Sequence, residues 1–190
     1  HVPVGDDQKQ HLELCRDIAQ RFNSDFQVPN FLKVPEPLIQ KYFSRIMSLK
    51  DGTKKMSKSD PSDLSRINLT DDKDKIINKI KKAKTDTMPM PNKDEDLKNR
   101  PEALNLLEIY SSLSNQSLEK SCNEFAGKNF SFFKEKLSYL VVEKIEPISK
   151  EIKRLLNEEK HLDKILLEGG EKANEFASTK VKEMKKIIGF

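Results

Sequence analysis

Two ammonium groups three residues apart offer the clearest chemistry in this chain: Lys55 and Lys58, within Lys55-Met56-Ser57-Lys58-Ser59-Asp60-Pro61. Each is a compact point charge on a flexible stem, able to follow phosphate oxygens as they move during a reaction. Ser57 and Ser59 add hydroxyl donors, and loop amides can add more. The plain alternative is a solubilising basic turn, which any Lys-x-x-Lys taken alone deserves. A second candidate lies near the start, where Gly5-x-Asp7-Gln8 follows the apolar Val2-Pro3-Val4. By itself it reads as a strand-to-helix turn. Gly5 permits the tight turn, and Asp6 and Asp7 stand where an N-cap and first-turn acids are favoured.

The bulk composition allows such a site without demanding it. The chain has 190 residues, 35% hydrophobic and 35% charged, so its apolar residues must be gathered on helix faces to make a core. With no Trp, 6 Gly and 9 Pro, it does not read as a turn-rich β-sandwich or barrel. The net charge of +4 leans towards an anionic partner, but 31 acids among 35 bases make most of that charge solvated helix face. Cys15 and Cys122 stand far apart and read as incidental reduced thiols. His1, His11 and His161 have no paired spacing with them, so no metal site is expected. No run of 18 apolar residues offers a membrane span. The abrupt apolar start, without an initiator Met, reads as the middle of a domain, where a strand enters a turn.

The elements that must hold these residues follow from periodicity. Val2 to Val4 read as the end of a strand, and residues 7–23 as an amphipathic helix carrying Leu12, Cys15, Ile18, Ala19 and Phe22. Residues 24–62 hold five structure breakers and read as irregular, with one short helix after Pro37 and a strand fragment near residue 47. The stretch from Lys50 to Pro61 reads as an exposed loop. Thr70 is the expected cap of a basic helix over 71–84, with Ile76, Ile77 and Ile80 on one side. Residues 85–99 read as a linker. Helices follow from Pro101 to about Ser112 and near 116–124, with Gly127 as a break. Two long helices end the chain. One is expected from about Phe130 to Leu156, bent at Pro147. The other is expected from about Leu162 to Ile188, with Leu166, Ala173, Ala177, Val181, Met184 and Ile188 inward and Gly169-Gly170 threatening to divide it.

The complete loop string is the KMSKS signature of class I aminoacyl-tRNA synthetases, and it continues into Asp60-Pro61 as the tryptophanyl branch usually does. The first segment, Val2 to Ala19, resembles the V-P-V-G-x-D-Q-x-x-H-x-E-x-x-R-D-x-A stretch of tryptophanyl-tRNA synthetases. Further likeness lies in Arg45-Ile46-Met47-Ser48-Leu49, in Asn105-Leu106-Leu107 with Ile109-Tyr110-Ser111, and in Glu171-Lys172-Ala173. The resemblance covers essentially all of the chain. Phe26 to Phe43 departs from the family's wording, with the extra prolines Pro35 and Pro37, and Glu102-Ala103 stands where the family more often has Gly-Ile.

This resemblance implies a fold and a set of roles. Residues 1–84 would be an α/β remnant of a Rossmann-type catalytic domain, and 85–190 an all-α anticodon-binding domain, mostly helical overall. ATP and tryptophan would bind at the C-terminal ends of the parallel sheet. Gly5, Asp6 and Asp7 would meet the ribose, while Val2, Val4 and Gln8 would line the tryptophan side. Ile46 and Met56 would contact adenine, and Lys55, Ser57, Lys58 and Ser59 the phosphates, with Lys55 and Lys58 catalytic. Magnesium would arrive with ATP, without a dedicated protein cage. The partners would be tRNA(Trp), tryptophan and ATP, in a homodimer of the bacterial cytoplasm or, alternatively, of a mitochondrion or plastid. Two lysine groups are candidates for RNA phosphate: Lys73, Lys79, Lys81, Lys82 and Lys84, and Lys180, Lys182, Lys185 and Lys186. No His-x-Gly-His motif is present, so the expectation is a fragment with little activity of its own. The alternatives are a non-catalytic helical tRNA-binding fragment and the sister tyrosyl-tRNA synthetase.

Overall fold

A computed structural model of the chain describes residues 3–5, 8–39 and 45–190. It divides into two compact units, one of residues 1–44 with 154–190 and one of residues 45–153.

In the first unit a parallel strand pair is joined through a helix. β1 (Pro3–Val4) lies beside β2 (Leu38–Ile39), Pro3 opposite Leu38 and Val4 opposite Ile39, with α1 (Lys9–Asp25) between them in sequence. A parallel pair needs such a crossover, because a tight turn would reverse the chain. The prolines that make residues 24–37 look structureless sit in a tied loop. The Asn23 side chain both donates to the Leu32 carbonyl and accepts from the Leu32 N–H, each at 2.8 Å. Arg16 reaches the Pro35 carbonyl at 3.1 Å and the Glu36 carboxylate at 2.6 Å. The segment expected as a short helix after Pro37 begins instead with β2, and residues 40–44 lie outside the described residues.

The unit also holds α6 (Glu159–Ile188), and two expectations fail there. Gly169-Gly170 does not divide the helix. Each costs about 1 kcal/mol relative to Ala, which a helix this long absorbs. Nor is the proposed inward stripe buried: Leu166, Val181 and Ile188 are exposed, and no residue of α6 is buried. Periodicity predicts an apolar face; only a partner makes it a core.

The second unit is a helical core carrying a hairpin. β3 (Met47–Ser48) pairs antiparallel with β4 (Asp51–Lys55), so the expected exposed loop from Lys50 starts as a strand. The cause is Gly52, which is buried against the start of α3 (Pro101–Ser114). α2 (Lys73–Lys82) is capped by Asp72 and not by Thr70: the Asp72 carboxylate accepts from the Lys75 N–H at 2.9 Å. α4 (Leu118–Phe125) is capped by Ser117, and α5 (Phe130–Asn157) runs unbroken through Pro147. Ile76, Ile80, Leu106, Leu107, Phe125, Phe133, Leu137 and Val141 are at most 1% exposed and pack as one cluster. The expected linker contributes to it. Met90 and Leu97 are buried, and Arg100 grips Asp86 with two hydrogen bonds of 2.7 and 2.8 Å. The core cluster draws residues from both sides of residue 84, from Ile76, Ile80 and Ala83 to Met90 and Leu97.

Candidate phosphate-binding loop

The loop from Lys55 to Pro61 is held at both ends, and by different forces. At its entrance, β4 lies backbone to backbone against α3. A Cβ added at Gly52 would stand 2.5 Å from the Pro101 carbonyl carbon, which no side chain can do. β3 is fixed from its outer side by Asn105, buried in α3. The Asn105 side-chain oxygen accepts from the Met47 N–H and its amide donates to the Met47 carbonyl, both at 2.9 Å. A helix side chain thus fills the place of a neighbouring strand. Met56 N–H donates to the Ile46 carbonyl at 3.0 Å, which brings together the two residues assigned to adenine.

At the loop's exit the ties are charged. The Arg66 guanidinium donates to the Asp60 carbonyl at 2.9 Å and pairs with Asp63 at 3.3 Å. Lys79, its side chain 3% exposed, pairs with buried Asp71 at 2.6 Å and with Asp63 at 2.8 Å. The Lys79 ammonium, first, and the Asn68 amide hold the Asp63 carboxyl below the usual carboxylate range. Lys79 is therefore a structural cation, contrary to its inclusion among candidates for RNA phosphate. Lys84 is also engaged, pairing with Glu102 at 2.7 Å, and that bond holds the Glu102 carboxyl below its ordinary value.

Between these anchors lies the tip. Lys55 and Lys58 are exposed, while Met56 and Ser57 are half-buried. The Ser57 and Ser59 hydroxyls lie 2.8 Å apart, and Ser57 Oγ accepts from the Ser59 N–H at 3.3 Å. The turn thus holds the two hydroxyls together, flanked in sequence by two exposed lysines. Among the expected residues, Ile46, Lys55, Met56, Ser57, Lys58 and Ser59 are brought together in the second unit. Val4, Gly5 and Gln8 belong to the first, where the Gln8 N–H donates to the Gly5 carbonyl at 3.0 Å. Val2, Asp6 and Asp7 lie outside the described residues. Among the described residues no cluster of three or more His, Cys, Asp or Glu could hold a metal ion.

Sequence reasoning missed the supports: Gly52, Asn105, Arg66 and the Lys79–Asp71 pair. Only Asn105 left a signal, a polar residue within the apolar run Leu104 to Leu107 of a helix.

The family-wide sequence pattern described as tRNA synthetases class I (W and Y) matches residues 1–144. This chain belongs to that family. Among its relatives in the class I group, the tryptophan–tRNA ligase of Caulobacter vibrioides is 52% identical over 190 residues, matching all of this chain and 55% of the relative. That of Rickettsia felis is 53% identical, matching all of this chain and 56% of the relative. The crystal structure of tryptophanyl-tRNA synthetase from Mycoplasma pneumoniae superposes with a TM-score of 0.80 at 31% identity, over all of this chain and 56% of that one. That of Campylobacter jejuni, complexed with ADP and tryptophan, does so with a TM-score of 0.68 at 26% identity, over all of this chain and 56% of that one. The chain spans a little over half the length of these relatives.

Proposed function

We propose that the full-length protein ligates tryptophan to tRNA(Trp) in two steps, the first of which consumes ATP. The observation that carries this reading is the pair Lys55 and Lys58 on an exposed tip between two fixed legs, in a chain about half identical to proteins named tryptophan–tRNA ligase. In the first step the tryptophan carboxylate attacks the α-phosphorus of ATP. An O–P bond forms, the bond to pyrophosphate breaks, and tryptophanyl-adenylate results. Such reactions are promoted by positioning and charge stabilisation. Lys55 and Lys58 hold the departing pyrophosphate, with Ser57 and Ser59 donating to its oxygens. They accelerate the step to the extent that they hold it more tightly in the transition state than in bound ATP. Ile46 and Met56 receive adenine; Gly5, Asp6 and Asp7 meet the ribose; Val2, Val4 and Gln8 line the tryptophan side. Magnesium enters with ATP as part of the substrate. In the second step a hydroxyl of the tRNA 3′ end attacks the activated carbonyl and AMP leaves.

In this reading residues 1–84 serve catalysis and 85–190 serve tRNA recognition, in a homodimer of the bacterial cytoplasm or of an organelle. Pyrophosphate exchange by the full-length protein is the test. It should depend on tryptophan and not on tyrosine, and Lys58→Ala should lower its rate on the order of a hundredfold, with a far smaller change in the tryptophan KM. A variant that changed only KM would remove the transition-state role, and exchange driven by tyrosine would remove the substrate.

A further inference from the structure

A cavity of about 400 Å³ opens between α2 and α5 and uses none of the loop's residues. Ile77 and Phe130 give it an apolar floor, and Lys81, Tyr139 and the hydroxyls of Ser131 and Ser138 line its walls. Lys134, also at the wall, is committed to structure: its ammonium donates to the Ala83 carbonyl at 2.6 Å and the Lys81 carbonyl at 3.3 Å, tying the end of α2 to α5. Lys81 is exposed and lies at the rim.

The outer face of α5 continues this chemistry. Tyr139 is 57% exposed and Phe132 is 41% exposed, large rings left in water by a helix whose other face is fully packed. Seven residues is about two helical turns, so the two rings lie on one side, about 10 Å apart along the axis, with Lys136 between them. The ammonium groups of Lys136 and Lys128 lie 5.7 and 5.9 Å from the centre of the Phe132 ring. Glu135 and Glu143 are the acids on this stretch, and Glu143 is paired with Lys144 at 2.8 Å. Exposed rings alternating with lysines suit unpaired nucleotides: bases stack on the rings and phosphates meet the cations. A duplex offers phosphates but no bare base face, so charge alone would not need the rings.

We propose that this cavity receives one unstacked nucleotide of the tRNA, its base against Tyr139 and its phosphate on Lys81, with a neighbouring base over Phe132 between Lys128 and Lys136. The inference rests on the reading above that tRNA is a substrate. All five residues lie in the second unit, and Lys81 is the one earlier RNA-contact candidate that it retains.

The test is a binding titration of the full-length protein with a tRNA(Trp) transcript and, in parallel, with a blunt-ended, fully base-paired RNA duplex. Tyr139→Ala and Phe132→Ala should each weaken tRNA binding about tenfold and leave duplex binding unchanged, while Tyr139→Phe should keep most of the affinity. Lys81→Ala should lower the salt slope of tRNA binding by roughly 0.7, one phosphate's share. Thermal melting checks that each variant is folded, and if Tyr139→Ala unfolds, Phe132→Ala and Lys81→Ala decide. A wild-type protein that neither binds nor charges tRNA sinks the function proposed above. Normal charging by the wild type, with the ring variants binding tRNA within twofold of it, overturns the cavity's role alone. Equal weakening towards duplex and tRNA also overturns it, because stacking would then play no part.

Discussion

The entrance and exit of the lysine loop differ in kind. The entrance is set by close approach: Gly52 against Pro101, and the Asn105 amide in the strand-partner position beside Met47. The exit is set by charge: Arg66 on Asp60 and Asp63, and Lys79 on Asp71 and Asp63. Close approach depends on volume and hardly at all on pH or salt. Charge pairs depend on both, though burial shields them. A loop that carries two exposed cations thus has one side set by volume and one whose strength follows the solution.

This comparison can be broken most severely at the exit. Lys79→Met leaves the buried Asp71 carboxylate without its partner and should destabilise the protein by about 3–5 kcal/mol in urea titrations. The double variant with Asp71→Leu should recover much of that loss. If Lys79→Met alone were neutral, the charged anchor would be ornamental. At the entrance, Gly52→Ala forces a methyl into the Pro101 backbone and should cost about 3 kcal/mol. Unlike the exit variants, its effect should be the same in low and high salt. Asn105→Leu preserves bulk but leaves the Met47 N–H and carbonyl unpaired, an expected loss of about 2 kcal/mol measured the same way.

The smallest effect is one of pH, and it touches both sides, through Asp63 at the exit and through Glu102, next to Pro101, at the entrance. The Asp63 and Glu102 carboxyls are held below their ordinary values of 3.8 and 4.5 in the folded protein. Their contribution is therefore present above those values and is lost as pH falls through the lower, folded ones. Melting temperature should drop below about pH 4.5, and Glu102→Gln should make that drop shallower while changing little at neutral pH. A steeper acid limb in the variant would contradict the assignment.

What could be read from the sequence was what chemistry and local rules dictate. Lys55 and Lys58 stand out through the complete loop string and the family it resembles, since their charge and spacing alone fit a solubilising turn. The helices α1, α3, α4 and α5 are legible from apolar recurrence and from breakers such as Pro101 and Gly127. Three things were not legible. Gly52 looks like a loop glycine until Pro101, far along the chain, is placed against it. Lys79 looks like one more solvated lysine of a basic helix, because nothing in the sequence places Asp63 and Asp71 around it. The stripe on α6 satisfies helical periodicity as well as that on α5, yet only α5 has buried residues. Each failure concerns a tertiary contact, made or missing, that local pattern does not reveal. Local pattern fixes the element, and tertiary contact decides what it does.

The Asn105 amide has one more consequence. A two-stranded ribbon leaves outward-pointing peptide groups that recruit whatever extended chain comes near. By occupying both such groups of Met47, a side chain rooted in a buried helix closes that rim to strand addition, so the hairpin that presents the lysines is shielded there from pairing with a stray strand of another molecule.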